Sequence, residues 1–394
     1  MWSRVIDYAS HTASRERVDV LGFVRRLDWL LLFGVAALVA YGLWAVAGIT
    51  RYDVEGNESY YVVRQAIAAG VGFAGFLVAL AIDPDRYRRA QKALYAVTLL
   101  MMLLVFPLAE TTRGSKRWID VGPFQFQPSE FGKLLFVLAL AGFLADRLRR
   151  LNQPKVILQA VGLAIVPIAL VFKQPDLGTA LVYTAALAAC LFIGGVRWGH
   201  LVALASIAAL VVASVVWFLP AAGIEVLEPY QVERLNFTNR DQDPSGTGYN
   251  QTQSITAVGA GGLDGRGVDA ATQTRLDYLP EHATDFVFAS LAEQRGFFGA
   301  SVLLGLYLLV VWRGLRVITV ARDAFGAIVA GGIVIAFLFQ VFVNVGMTMG
   351  IAPVTGIPLP FVTVGGSSMA ANLLAIGVLQ AIHARGNLGR RRSR

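Results

Sequence analysis

Cysteine is almost missing from this chain. Cys190 is the only one in 394 residues. It sits inside an apolar run, so an intrachain disulfide and a thiolate metal cluster are both excluded, and it reads as a small core residue. Histidine is nearly as scarce: His11, His200, His282 and His383 are too scattered to suggest a zinc site. Charged residues make up 15% of the chain, against about a quarter in soluble domains. No cleavable leader is apparent either. Arg4, Arg15, Arg17, Arg25 and Arg26 precede a full-length apolar run starting near Asp28, without a small-residue cleavage site, so that run is expected to be a retained helix. A separate soluble domain and a short-period repeat are also lacking.

What the chain has in quantity is apolar side chains, 56% of the total. They recur in runs of about twenty, long enough to cross the roughly 30 Å hydrocarbon core as helices that satisfy their own backbone polar groups. The runs fall near 27–48, 60–82, 92–109, 130–146, 156–172, 177–196, 200–219, 285–312, 323–347 and 368–385. The expected fold is an all-α polytopic membrane protein of about ten transmembrane helices. Residues 1–26 form an amino-terminal tail, 27–385 a single membrane domain and 386–394 a basic tail. Pro167 and then Gln174-Pro175-Asp176 interrupt the fifth run, which suggests broken or half-length helices there.

The formal net charge of +8 would suit nucleic acid, but its distribution does not. The cations lie in short tracts between apolar runs: Arg86, Arg88, Arg89 and Lys92; Arg147, Arg149, Arg150 and Lys155; Arg197; Arg313, Arg316 and Arg322; and Arg385 with Arg390, Arg391, Arg392 and Arg394. These tracts share a side with the basic amino-terminal tail, which puts both termini in the cytoplasm by the positive-inside rule and excludes nucleic acid as a partner. The opposite side holds the longest connection, about 221–284, rich in Gly, Asn, Gln and Asp. A loop of that length is either disordered or functional. Tyr230, Leu235, Phe237, Tyr249 and Tyr278 give it apolar anchors, so an ordered extracytoplasmic cap between the seventh and eighth helices is expected.

Four constellations fall on that outer side, and polar groups at a membrane edge are expensive enough to be functional candidates. Arg113-Gly114-Ser115-Lys116-Arg117 puts three cations in five residues, which suits a pyrophosphate, with forked donors from Arg and a point charge from Lys. Contact with anionic lipid headgroups would explain the same cluster. It runs on to Gln127-Pro128-Ser129-Glu130, where Ser129 is a candidate helix cap and Glu130 and Lys133 a structural ion pair. Lys173-Gln174-Pro175-Asp176 flanks a helix break that would line a polar cavity, or else a tight turn capped by Asp176.

Asp277, Glu281 and Asp285 recur every four residues, although Pro280 argues against one unbroken helix. Asp285 is a candidate general base, with N-capping of the following helix as its plainer role. Pro353, Pro358 and Pro360 forbid a regular helix ahead of Gly365-Gly366-Ser367-Ser368, a segment able to aim N–H groups and hydroxyls at an anion.

Together these segments resemble the SEDS family of bacterial cell-wall glycosyltransferases. The resemblance is carried by Lys116-Arg-Trp-Ile119, Gln127-Pro-Ser-Glu130, Lys173-Gln-Pro-Asp-Leu-Gly-Thr179, Tyr278-Leu-Pro-Glu281 with Thr284-Asp285-Phe286, Gly356-Ile-Pro-Leu-Pro-Phe361 and Gly365-Gly-Ser-Ser368. Gly246, Gly248, Tyr249, Gln253 and Ser254 also follow the family's loop pattern. Lys173 and the modest amino-terminal tail look more like the RodA type than the FtsW type. Two departures stand out. Ala283 occupies the place where the family usually has histidine, with His282 one residue earlier, and Thr363-Val364 replaces the usual Ser-Tyr.

The resemblance implies polymerisation of lipid II into β-1,4 glycan strands at the outer face of the cytoplasmic membrane, serving cell elongation and rod shape. Asp285 would be the base, and Arg113, Lys116, Arg117 and Lys173 would neutralise the departing pyrophosphate. Gln174, Asp176, Glu281, Thr284, Ser367 and Ser368 would support substrate binding. No cofactor is certain. A magnesium or manganese ion could assist through acidic loop residues, although no committed ligand set is visible. The implied partners are lipid II, the nascent glycan strand, a class B penicillin-binding protein and the elongation-complex membrane proteins. A lipid II flippase is the competing class, and it would need a charged path through the midplane. A division polymerase of the FtsW type and a bare scaffold for a transpeptidase are the other readings.

Overall fold

The computed structural model describes residues 20–109, 117–122, 124–223 and 247–392. Ten helices among them are long and apolar enough to cross a membrane. They are α1 (Trp29–Ile49), α2 (Tyr60–Ala81), α3 (Gln91–Leu108), α4 (Pro128–Ala145), α5 (Pro154–Lys173), α6 (Leu177–Gly194), α7 (Trp198–Ala221), α9 (Val287–Val320), α10 (Ala324–Thr348) and α11 (Gly366–Arg392). The amphipathic α8 (Thr247–Gly261) belongs to the long connection.

Helix starts follow local chemistry. Asp28, Asp176 and Asp323 accept backbone N–H bonds as caps of α1, α6 and α10, each meeting a donor that the first turn leaves unpaired. Pro128 and Pro154 open α4 and α5, where the missing N–H costs nothing. Ser129 does not cap α4 as expected. The cap position is Gln127, and Ser129 is buried within the first turn with its carbonyl accepting from the Tyr183 hydroxyl at 3.1 Å. Nor does Pro167 break the fifth run: α5 passes through it and ends only at Lys173.

The helices alternate in direction, which gathers the basic tracts at one end of the bundle. Arg322 meets Asp85 at 2.5 Å, Arg88 meets Asp146 at 2.8 Å and Arg385 approaches Asp83 at 3.9 Å. Deeper at that end, Arg313 grips the buried Asp28 with bonds of 2.7–3.1 Å, while the Gln380 side chain bonds Asp28 N and O at 2.9 Å. The tie links α1, α9 and α11, and removing one partner would leave a buried charge alone.

The bundle has a clear centre and rim. In their most apolar windows α4 and α11 are each 78% buried and α10 is 72% buried, while α7 has no buried residue. With lipid as apolar as any core, helices associate through close packing of small residues. Gly377 shows this: a Cβ there would stand 2.5 Å from Phe76 O on α2.

The eighth apolar run differs from its expected form. It is two helices joined at Gly296, whose φ of 65° and ψ of −164° interrupt α9. The glycine-rich turn after α8 repairs the interruption. Arg266 N and Gly267 N donate to Glu293 O and Gln294 O at 2.9 and 3.0 Å, and Phe297 N and Phe298 N donate to Gly262 O and Leu263 O at 2.9 and 3.3 Å. The buried Glu293 carboxylate then accepts from Gln273 N, Thr274 N and the Thr274 hydroxyl at 2.7–3.0 Å. Residues 247–284 are thus an ordered cap built onto the first part of α9; Tyr230, Leu235 and Phe237 lie outside the described residues.

Gly296→Ala is expected to lower stability by about 1–3 kcal/mol from backbone strain alone, and by more because its Cβ would fall 2.3 Å from Gly265 N. Gly162→Ala, at an open helical position, should be neutral or stabilising by up to about 1 kcal/mol. Melting curves in detergent separate the two, and equal midpoints would refute the role given to Gly296.

Candidate active site

The outer-side motifs meet at the end of the bundle away from the basic tracts. A short hairpin precedes α4: β1 (Ile119–Val121) pairs antiparallel with β2 (Phe124–Phe126), turning at Gly122 with φ 61°. The pairing brings Arg117 and Gln127, which flank the two strands, to the same end. The Ser367 hydroxyl receives Gln127 N at 2.9 Å and donates to Gln125 O at 2.9 Å, which stitches the hairpin to the start of α11.

Gln127 also donates its amide to Asp176 Oδ2 at 3.2 Å, while Asp176 Oδ1 caps α6 through Thr179 N at 3.0 Å. Arg117 bonds the Pro175 carbonyl and lies 4.0 Å from Asp176 Oδ1. Its side chain is only 11% exposed, its guanidinium faces the Trp118 ring at 5.8 Å and its Nε has no hydrogen-bond partner. Arg117 therefore holds the Gln174-Pro175-Asp176 corner, with its charge shared by Asp176. Lys173 at the same corner is exposed, and among the described residues no carboxylate forms an ion pair with it. Gln174 turns away into the bundle, where it is buried and donates to Met102 O at 2.8 Å. Arg113 and Lys116 lie outside the described residues.

The segment carrying Asp285 is a series of turns, as Pro280 requires. Asp277 and Glu281 have φ of 55° and 56°, so Asp277, Glu281 and Asp285 do not share a helix face. Glu281 O accepts from Thr284 N and Phe286 N at 3.1 Å, and the Thr284 hydroxyl donates to the Glu281 carboxylate at 2.8 Å. Helix α9 starts at Val287 with Phe286 in the cap position and no side-chain cap bond. Asp285 is therefore not its N-cap residue. It is half-buried.

Three polar side chains from other elements fix this segment. Asn344 of α10 donates to both Asp285 O at 3.0 Å and Ile357 O at 2.8 Å. The Thr363 hydroxyl donates to Thr284 O at 3.0 Å and accepts from Leu359 N at 2.8 Å, while Val364 N donates to Ala283 O at 3.0 Å. The buried Gln65 of α2 holds Thr363 O and Gly365 N at 2.9 and 3.1 Å. The hydroxyl of Thr363 thus has a defined task, and Val364 contributes its backbone N–H. The same proline-rich loop reaches the Asp176 corner, because Gly178 packs so tightly on it that a Cβ would stand 2.6 Å from Thr355 O. One loop joins the two sites.

His282 points to the outer connection between α1 and α2, where its Nε2 lies 3.0 Å from Asp53 Oδ1; Nδ1 lies 3.4 Å from Asp277. Burial works against charging this ring, but the Asp53 hydrogen bond and charge, with smaller contributions from Asp277 and a backbone bond at Leu279, outweigh it. The His282 pKa therefore stands above the usual 6.5.

Below this outer layer, Glu130 is buried and Lys133 Nζ reaches its Oε1 at 2.8 Å. Both line a cavity of about 50 Å³ between α4, α9, α10 and α11. Glu130 Oε2 and the Nε2 of Gln340, which also lines it, have no hydrogen-bond partner, so the cavity offers ordered water an acceptor and a donor. Ser368 is buried on α11, its hydroxyl 3.2 Å from the Asn372 amide. Among the described residues no three His, Cys, Asp or Glu side chains gather as metal ligands. Sequence reasoning gave no role to Gln65, Gln340 or Asn344. Each is an amide inside an otherwise apolar run, and that cost was the signal available.

Comparison with known proteins agrees with this architecture. The profile of the FtsW/RodA/SpoVE family, described as cell cycle protein, matches residues 26–387. Stage V sporulation protein E of Bacillus subtilis is 35% identical over 89% of this chain and 93% of its own length. Peptidoglycan glycosyltransferase MrdB of Escherichia coli is 34% identical over 91% and 93%. A chain from a peptidoglycan synthase complex, solved to describe the coordination of polymerization and crosslinking, superposes with a TM-score of 0.77 at 31% identity, covering 91% of this chain and 98% of that one. The chain is a multi-pass membrane protein and belongs to the FtsW/RodA/SpoVE family, the SEDS family that its loop motifs resemble.

Proposed function

We propose that this protein is a peptidoglycan glycosyltransferase that polymerises lipid II at the outer face of the bacterial cytoplasmic membrane, with both termini in the cytoplasm. The observation that carries the reading is the coupling of two polar corners at one end of the bundle. One carries a carboxylate, Asp285, and the other an exposed cation, Lys173, and both pack against the loop that includes Thr355 and Ile357. The orientation rests on the collection of basic tracts at the opposite end.

In the proposed reaction Asp285 takes the proton of the acceptor sugar's 4-hydroxyl as that oxygen attacks the anomeric carbon of the donor. The bond from that carbon to the undecaprenyl pyrophosphate breaks on the opposite side, which inverts the anomeric centre. Lys173 receives the charge that develops on the leaving group, with Arg113 and Lys116 as further candidates. Arg117 acts by shaping the corner, because Asp176 already shares its charge. Glu281 and Thr284 hold the turn that aims Asp285, and Ser367 holds the hairpin. A flippase would have to pass a disaccharide headgroup through the bundle. The buried Phe136, Tyr183 and Phe337 stand against such a passage. The likeness to a chain of a synthase complex supports a crosslinking enzyme, a class B penicillin-binding protein, as partner.

Purified protein and lipid II test the base directly. Asp285→Asn should lower the polymerisation rate about 10²–10⁴-fold while melting as the parent does; a near-parental rate would remove Asp285 from the reaction. A second expectation concerns the support for that residue. Because the folded pKa of His282 is raised, its ion pair with Asp53 contributes fully below about pH 6.5, the unfolded value, and is lost as pH rises through the higher folded value. The melting midpoint of the parent should therefore fall over that window relative to His282→Gln. Parallel curves for the two proteins would show that the pair does not stabilise the fold.

A further inference from the structure

The basic end of the bundle carries a feature that glycosyl transfer does not use. Between α3 and α5, over the flank of α4, runs a groove of about 1370 Å³. Leu140 and Phe143 of α4 form part of its floor, and Tyr95, Gly162, Leu163 and Val166 form its sides. The Tyr95 hydroxyl donates to Leu163 O at 2.9 Å and ties the two walls together.

The rim has a different character, with Lys92 on one side and Arg147, Arg149 and Arg150 on the other. The one carboxylate in the lining, Asp146, is already engaged, held by Arg88 at 2.8 Å and by the Gln91 amide at 2.6 Å. Arg147 lies over the Phe143 ring at 4.0 Å and donates to Phe143 O. Lys92, Arg149 and Arg150 are exposed, and among the described residues no acidic side chain forms an ion pair with them.

A groove that is apolar along its depth and cationic at its mouth is complementary to an amphiphile with an anionic head. The mouth lies at the start of α3 and just past the end of α4, among the basic tracts that the positive-inside rule assigns to the cytoplasmic side, where surface cations attract anionic lipid. We propose that this groove binds one anionic phospholipid from that leaflet, with the acyl chains along α4 and the phosphate between Lys92 and the Arg149-Arg150 pair. A zwitterionic lipid would bring its own cation to a mouth that already has a surplus of positive charge.

The test uses the purified full-length protein, titrated with dioleoylphosphatidylglycerol or dioleoylphosphatidylcholine and followed by native mass spectrometry and melting curves. Retention of one phosphatidylglycerol, with a raised midpoint that phosphatidylcholine does not give, supports the proposal. Replacing Arg149 and Arg150 with Gln should weaken binding about fivefold for each cation removed, the about 1 kcal/mol that a surface Lys or Arg contributes toward an anionic leaflet. Gly162→Leu fills the groove by an independent route, since a Cβ at Gly162 meets no atom within 4 Å, and it should abolish retention while the helix persists. Equal binding of the two lipids, or unchanged phosphatidylglycerol binding in both variants, overturns the proposal. So does displacement of phosphatidylglycerol by an equimolar polyprenyl pyrophosphate, which would assign the groove to the lipid-linked precursor instead.

Discussion

Inside a bilayer a helix can stop only where something else supplies the hydrogen bonds it gives up. At Gly296 the supplier is the turn from Gly261 to Gly267, whose backbone takes up donors and acceptors on both sides of the break. The outer part of α9 is therefore held as part of the cap, while the remainder runs on through the membrane. The position of Asp285 follows from that division. An uninterrupted α9 would carry the preceding turn wherever a single long rod happened to tilt. A broken one lets the cap, through Glu293, and α1, through the bond from Gln294 to Gly48 O, set the outer part separately from the remainder of α9.

The same logic governs the rest of the outer end. Each irregular segment there is held by a side chain from a neighbouring element rather than by its own regular structure. Asn344 bonds two carbonyls, Gln65 a carbonyl and an amide, and Ser367 accepts one bond and donates another. Such bonds contribute about 1 kcal/mol each when made, and cost more when one partner is removed and the other left buried. The arrangement is consequently stiff in position and low in regular structure, which is what a site needs if it must present charge at a membrane edge.

The sequence made the ten apolar helices legible, because run length and the spacing of cations are properties of single segments. It also made the outer motifs legible as groups. What it hid were relations between segments. The eighth run looked like one helix because nothing local marks Gly296 as the glycine that must turn left-handed; the reason lies about thirty residues earlier, at Gly265. Arg117 looked like a free cation because its partner, Asp176, is distant in sequence. Ser129 looked like a cap because a serine ahead of an apolar run usually is one, yet Pro128 had already begun the helix. Ala283, in the place of the family's usual histidine, is a different case. The structure puts His282 against Asp53 and leaves Ala283 packed against the core, a local change with consequences that only the fold reveals.

The solitary thiol of Cys190 has a practical consequence. It is fully buried on α6 against α10, so close to Gly332 that a Cβ there would stand 2.8 Å from Sγ. A thiol in that position is shielded from reagents for as long as those two helices stay together. The chain therefore carries its own reporter: alkylation at Cys190 registers separation of the central helices, and any thiol engineered onto the surface reacts without competition from the native one.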